Sequence, residues 1–120
     1  MNIISNLEEI IEDSKELWLS GLFGSIIGWN PGYDIPVYKD MFFNIIRILL
    51  DQEVVRFCRP DDPLGRKEPY WKADSDTIVN YLQENWPDNV TDENDEELNM
   101  YFYEMPAILW RDEAGNYKGS

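Results

Sequence analysis

Between residues 37 and 50 the chain places Met41, Phe42, Ile45, Ile46, Leu49 and Leu50 at successive helical turns. That spacing makes a wide apolar stripe along one α-helix, wide enough for the central element of a core. Asn44 and Arg47 interrupt the run, which falls far short of the ~20 apolar residues needed to cross a bilayer. The rest of the chain must therefore cover this stripe. Aromatic residues make up 14% of the 120 residues, which supplies the bulk to do so. The expectation is a single globular domain over residues 1–120, without internal repeat or linker.

Upstream, Ser5-Asn6-Leu7-Glu8 reads as a capping box opening a helix. Leu7, Ile10, Ile11, Leu17 and Trp18 continue it at helical spacing, and Leu22, Phe23, Ile26 and Ile27 extend the pattern, either in one long helix or after a break. Gly21, Gly24 and Gly28 lie close to one face, where they admit a neighbouring helix or end their own. Asn30-Pro31-Gly32 forces a turn before the central helix. Downstream, residues 53–57 read as a short strand, and Pro60, Pro63, Gly65 and Pro69 mark 59–72 as a loop. Asp74-Ser75-Asp76 offers N-caps for a helix through Ile78, Val79, Leu82 and Trp86 that stops at Pro87. Residues 98–103 fit a short helix or a strand. Residues 107–111 read as a strand that turns at 112–116 into a short return strand at Tyr117. The fold class is α+β, with three to four helices packed on a small antiparallel sheet.

Several chemistries are excluded by composition. The chain has no histidine and one cysteine, Cys58, so it builds no Ser-His-Asp triad, no Cys-His pair, no HExxH zinc site, no internal disulfide and no CxxC pair. Cys58 lies between Arg56 and Arg59, cations that favour a thiolate, but its place at the end of a strand beside Phe57 points to a structural or half-buried thiol. The glycines at 21–28 match neither the P-loop nor the dinucleotide fingerprint. An EF-hand counted from Asp92 requires Gly at position six and Glu at position twelve, where the chain has Glu97 and Tyr103. Neither a cofactor nor a metal is expected. The start, Met1-Asn2-Ile3-Ile4-Ser5, meets Glu8 and Glu9 where a signal peptide needs a basic start and ~7–15 apolar residues. A cytoplasmic location is expected, with no membrane partner.

Charge is the informative property. Ten Lys and Arg stand against 24 Asp and Glu, a formal net charge of −14. Such a chain repels phosphate backbones, so direct nucleic-acid binding is disfavoured and a basic protein is the natural partner. Five of the ten cations fall within 56–72, leaving the remainder still more acidic. Residues 88–97 contain Asp88, Asp92, Glu93, Asp95, Glu96 and Glu97 and no cation. Asp92, Glu93, Asp95, Glu96 and Glu97 are the first candidates for partner contact, with Trp86, Tyr101 and Tyr103 nearby in sequence as aromatic anchors. Glu12, Asp13 and Glu16 form a second candidate cluster, in which Glu8, Glu12 and Glu16 would stack at i, i+4 spacing. The bland alternative is a set of solvated acidic faces.

Three segments carry a resemblance: Ile48-Leu49-Leu50-Asp51-Gln52-Glu53-Val54-Val55-Arg56-Phe57, Tyr81-Leu82-Gln83-Glu84-Asn85-Trp86-Pro87, and Met100-Tyr101-Phe102-Tyr103-Glu104-Met105-Pro106-Ala107-Ile108-Leu109-Trp110 with its turn at 112–115. Over residues 45–118 the chain resembles small acidic bacterial proteins found beside polymorphic or contact-dependent growth-inhibition toxin genes, which look like CdiI-like immunity proteins. Members often carry Cys-Pro where this chain has Met105-Pro106. The resemblance implies a non-enzymatic immunity protein that binds the C-terminal domain of a cognate toxin, a basic nuclease, one to one. Two other readings stand beside it: an acidic DNA mimic that inhibits a DNA-binding enzyme, and a hydrolase working through paired carboxylates.

Overall fold

The structure is a computed structural model and describes residues 6–119. In chain order the elements are α1 (Leu7–Ser14), α2 (Leu19–Trp29), α3 (Ile35–Asp51), β1 (Val55–Phe57), α4 (Ser75–Glu84), α5 (Glu96–Glu104), β2 (Ile108–Arg111) and β3 (Tyr117–Lys118). The strands form one antiparallel sheet in the order β1-β2-β3. The class is α+β, as the sequence indicates, with five helices among the described residues.

The additional helix comes from the N-terminal segment, where the apolar pattern runs on but the helix does not. Lys15 is extended and Glu16 adopts a left-handed φ of 66°, which ends α1. The Trp110 indole, 93 residues away on β2, donates to the Leu17 carbonyl at 2.9 Å and ties down the connection. Leu17 and Trp18 consequently face outward instead of joining the buried face. Glu16 lies beyond the end of α1, so the expected Glu8–Glu12–Glu16 stack does not extend to it. The expected capping box rests on Ser5 and so is not tested by the described residues. The N-cap of α1 is Asn6, with φ 64° and no side-chain cap, and its amide Nδ2 donates to the Trp29 carbonyl at 3.3 Å. Ser5 lies outside the described residues.

α3 begins two residues earlier than the stripe indicates, with Pro36 in its first turn, where a missing N–H costs no helical bond. Its expected stripe is buried in full, and Phe43 and Tyr38 widen it. Phe42 has no solvent exposure and meets Phe23 from α2, Trp86 after α4 and Phe102 from α5 at ring-centroid distances of 5.4, 6.1 and 5.7 Å. Those separations, with edge-on geometry for Phe23 and Phe102 and a tilted one for Trp86, are the ones aromatic pairs prefer. Trp86 and Tyr101 therefore belong to the core, and the expectation that they anchor a partner is corrected. Residues 98–103 are helical, with Leu98, Tyr101 and Phe102 at i, i+3, i+4 turned inward.

Gly24 and Gly28 admit no neighbouring helix: a Cβ at either would meet nothing within 4 Å. Gly21 is the close approach of the three, since a Cβ there would come within 2.7 Å of the Leu17 Cβ. The sheet buries Val55 and Phe57 of β1 opposite Trp110 and Ile108 of β2. On its other face Arg56 lies over the rings of Tyr70 and Tyr117, at 5.6 and 5.1 Å. No helix among the described residues is long and apolar enough to cross a membrane.

Candidate partner-binding surface

The acidic run is a loop of turns and bends leading into α5, and its carboxylates divide by role. Asp92 accepts the Asn94 N–H at 2.7 Å, closing the turn. Asp95 is the N-cap of α5 and accepts the N–H groups of Glu97 and Leu98 at 2.8 and 3.2 Å. The Asp95 carboxylate thus satisfies backbone donors that a helix start leaves open, while that of Asp92 serves the turn before it. Glu96 and Glu97 occupy the first turn, where the helix dipole favours negative charge. Glu93 is exposed and lies outside the helix. The ion pairs among the described residues engage Glu12, Glu53, Asp61, Asp76 and Asp112. None of the five candidates in the run takes part in one.

Folding joins this run to a segment that sequence spacing did not connect with it. The turn after α2 brings Pro31, Tyr33, Asp34 and Ile35 opposite Val90, Thr91, Asp92 and Glu93, and the two segments wall an open groove of about 630 Å³. Tyr33 is exposed, and its ring packs edge-on against Tyr38 at 5.9 Å. Tyr38 holds the turn in place: its hydroxyl donates to the Asn30 carbonyl at 2.7 Å and accepts the Tyr33 N–H at 3.1 Å. The result is an aromatic side chain rimmed by Asp34, Asp92 and Glu93. Sequence reasoning identified Asp92 and Glu93 but missed Tyr33 and Asp34. The available signal was the Asn30-Pro31-Gly32 turn, which marks residues placed at the surface.

The second cluster is less available. Glu12 pairs with Lys15 at 3.3 Å, Asp13 accepts the Trp29 indole N–H at 2.6 Å, and Glu16 sits in the bent connection between α1 and α2. Asp13 thereby joins α1 to the end of α2. Of the three aromatic anchors expected near the acidic run, Tyr103 is exposed.

Three carboxylates have their acidity set by donors. Asp62 accepts N–H bonds from Arg66, Lys67 and Glu68 at 2.8–3.0 Å, and these hold its carboxyl below the ordinary range, with the Glu68 and Lys67 bonds dominant. Asp74, the N-cap of α4, is lowered by Thr77, and Asp112 by the Asn116 N–H and by Lys118. A general acid at neutral pH needs a shift in the opposite direction. Burial, with Asp62 adding to it, pushes the Cys58 thiol up, away from the reactive thiolate. Cys58 is buried, in keeping with a structural thiol. Among the described residues no three Cys, Asp or Glu side chains gather to hold a metal ion.

No protein-family model matches the chain, and no curated protein matches it. Among solved structures it is similar to an uncharacterised protein conserved in bacteria, from Neisseria meningitidis. The TM-score is 0.68 and the identity 23%, over 95% of this chain and 83% of the other. At that identity the likeness establishes a shared fold.

Proposed function

We propose that this protein is a cytoplasmic immunity protein of the contact-dependent growth-inhibition type, which neutralises a cognate toxin domain by stoichiometric binding. The observation that carries the reading is the acidic surface at 92–97, where five carboxylates have no ion-pair partner among the described residues. Unpaired like charge on one surface is unfavourable by itself, and a partner of opposite charge relieves it while raising the association rate. The toxin of this reading is a basic nuclease whose substrate cleft the acidic face covers. Tyr33 and the rim of Asp34, Asp92 and Glu93 supply the aromatic-centre, charged-rim pattern of a protein interface.

The test is co-expression with the toxin domain encoded beside the gene, scored by rescue from growth arrest and by a one-to-one complex in sedimentation. The informative variant combines Glu93→Lys, Glu96→Lys and Glu97→Lys and leaves the structural Asp92 and Asp95 intact. We expect it to lose protection while remaining folded, with an unfolding midpoint lowered only by the loss of the two favourable first-turn charges, about 0.3–1 kcal/mol each. Unaltered protection by this variant overturns the charge-complementary reading, and absence of protection by the parent overturns the immunity role.

A further inference from the structure

A second groove opens at the C-terminal end of α5. It has a volume of about 630 Å³, and its lining includes Trp18, Leu64, Tyr103, Met105 and Ile108, with the buried Cys58 among them. Three large side chains on its walls stand in solvent: Trp18 is 49% exposed, Leu64 70% and Tyr103 72%. The Trp18 and Tyr103 rings pack together at 5.7 Å, so the two make a fixed wall. Apolar surface gathered in this way is a feature of interaction sites, whereas single exposed apolar residues are ordinary. Each wall has a local cause. Trp18 is turned outward by the break between α1 and α2. Leu64 stands on a loop organised by the three N–H bonds to Asp62. Tyr103 is placed on the outer face of α5 because Tyr101 and Phe102 take the inner one.

Charge selects the occupant. The charged residue lining this groove is Glu104. A neighbouring groove of about 410 Å³ along α5 is lined by Glu96, Glu97, Met100 and Glu104, and no cation lines either. The exposed side of α5 thus runs from the acidic first turn through Met100 to Glu104 and into the apolar groove. A second copy of the chain would bring its own net charge of −14 towards these carboxylates. A basic amphipathic segment satisfies both parts.

We propose that the apolar groove and the outer face of α5 together form a docking slot for a cationic amphipathic segment. An apolar side chain of the segment enters between Trp18, Leu64 and Tyr103, and its cations lie along Glu96, Glu97 and Glu104. The identity of that segment as part of the toxin rests on the immunity reading above. The slot adds to that reading an apolar specificity site remote in sequence from the acidic run.

The test uses the full chain with two synthetic probes of equal length and charge, an amphipathic Lys/Leu peptide and a Lys/Ser peptide, followed by amide chemical shifts at physiological salt. We expect the Lys/Leu peptide to bind about ten- to hundredfold more tightly, the factor that burial of one leucine-sized side chain supplies. Its shifts should centre on Trp18, Leu64, Tyr103 and Met105. Leu64→Ser and Tyr103→Ser, each at an exposed position, should abolish that preference while leaving Lys/Ser binding unchanged. Equal affinity for the two peptides overturns the slot. So does a concentration-dependent dimer dispersed by Leu64→Ser, which would make a second copy the occupant. The co-expression assay separates the two readings. Peptide preference without toxin protection removes the immunity role and keeps the slot. Protection retained by Leu64→Ser, together with equal peptide affinities, does the reverse.

Discussion

Replacing Tyr101 with Phe isolates one hydrogen bond in the core. Tyr101 is 3% exposed, and its hydroxyl donates to the Leu82 carbonyl at 2.6 Å. That carbonyl lies in the last turn of α4, where carbonyls run out of helical donors. The Trp86 N–H bonds to Gln83 at 3.2 Å instead, which leaves Leu82 to the tyrosine of the other helix. The Phe ring keeps its contacts with Trp86 and Phe102, at 5.3 and 5.5 Å, so the substitution removes a hydroxyl and strands a buried acceptor. An acceptor left so costs about 1–3 kcal/mol. The total stability of a chain of this length is on the order of 6–18 kcal/mol by the usual per-residue range. With a urea slope of about 1–3 kcal/mol per molar, the unfolding midpoint should fall by roughly 1 M at unchanged slope. The exposed Tyr103→Phe control should stay within about 0.5 kcal/mol of the parent. Burial also pushes the Tyr101 hydroxyl well above its ordinary value of 10.0, with Tyr81 adding to the effect. Above that pH the unfolded chain loses the proton and the folded chain keeps it, so the parent loses stability as pH rises. The gap between parent and Tyr101→Phe should therefore narrow above pH 10.0, by up to about 1.4 kcal/mol per pH unit. A variant whose midpoint matches the parent's at pH 7, or a gap that stays constant into alkali, refutes the assignment of this bond.

Ser14 is fully buried with no hydrogen-bond partner for its Oγ, so Ser14→Ala should raise stability by about 1 kcal/mol, read as a higher urea midpoint. Gly24 sits in the middle of α2 with open space where a Cβ would go, so Gly24→Ala should stabilise by about 0.5–1 kcal/mol in thermal unfolding. Asp62→Asn should destabilise at neutral pH, because the carboxylate organises the 66–68 backbone. The Asp62 folded-state pKa lies below 3.8, so the advantage of the parent is present above that value and disappears as pH falls through the folded pKa. A parent-to-variant gap that persists unchanged into strong acid would count against this.

α3 was legible in the sequence because its signal is local: one stripe on one helix, buried against everything else. The strands expected at 53–57 and 107–111, which form as Val55–Phe57 and Ile108–Arg111, and the turn at 112–116 were legible for the same reason, and Asp74 caps α4 as its sequence position indicates. The break between α1 and α2 was not, because its fixing contact comes from Trp110, 93 residues away. Residue type also does not report depth. Trp86, Tyr101 and Tyr103 look alike as candidate anchors, yet helix phase buries Tyr101 and exposes Tyr103, two positions apart. Within the candidate surface, the acidic run was visible as composition. Its pairing with Tyr33 and Asp34 needed the fold, since some 60 residues of chain separate the two walls of that groove.

The bland and functional readings of the acidic charge meet at Glu93. Much of the apparent excess has a structural outlet: Glu8 and Glu9 lie in the first turn of α1, and Asp95, Glu96 and Glu97 start α5, all at positive dipole ends. Asp62, Asp74 and Asp112 hold backbone N–H groups. A fold that only accommodates its charge would place carboxylates in this way. Glu93 is in no helix and caps nothing, yet it lies with Asp34 and Asp92 around an exposed tyrosine. Removing its charge relieves repulsion inside the groove, so Glu93→Gln should leave stability unchanged or slightly raised. If this groove is a binding surface, the same substitution must weaken the partner complex. Stability and affinity moving in opposite directions at one residue is an outcome that solvation alone does not produce.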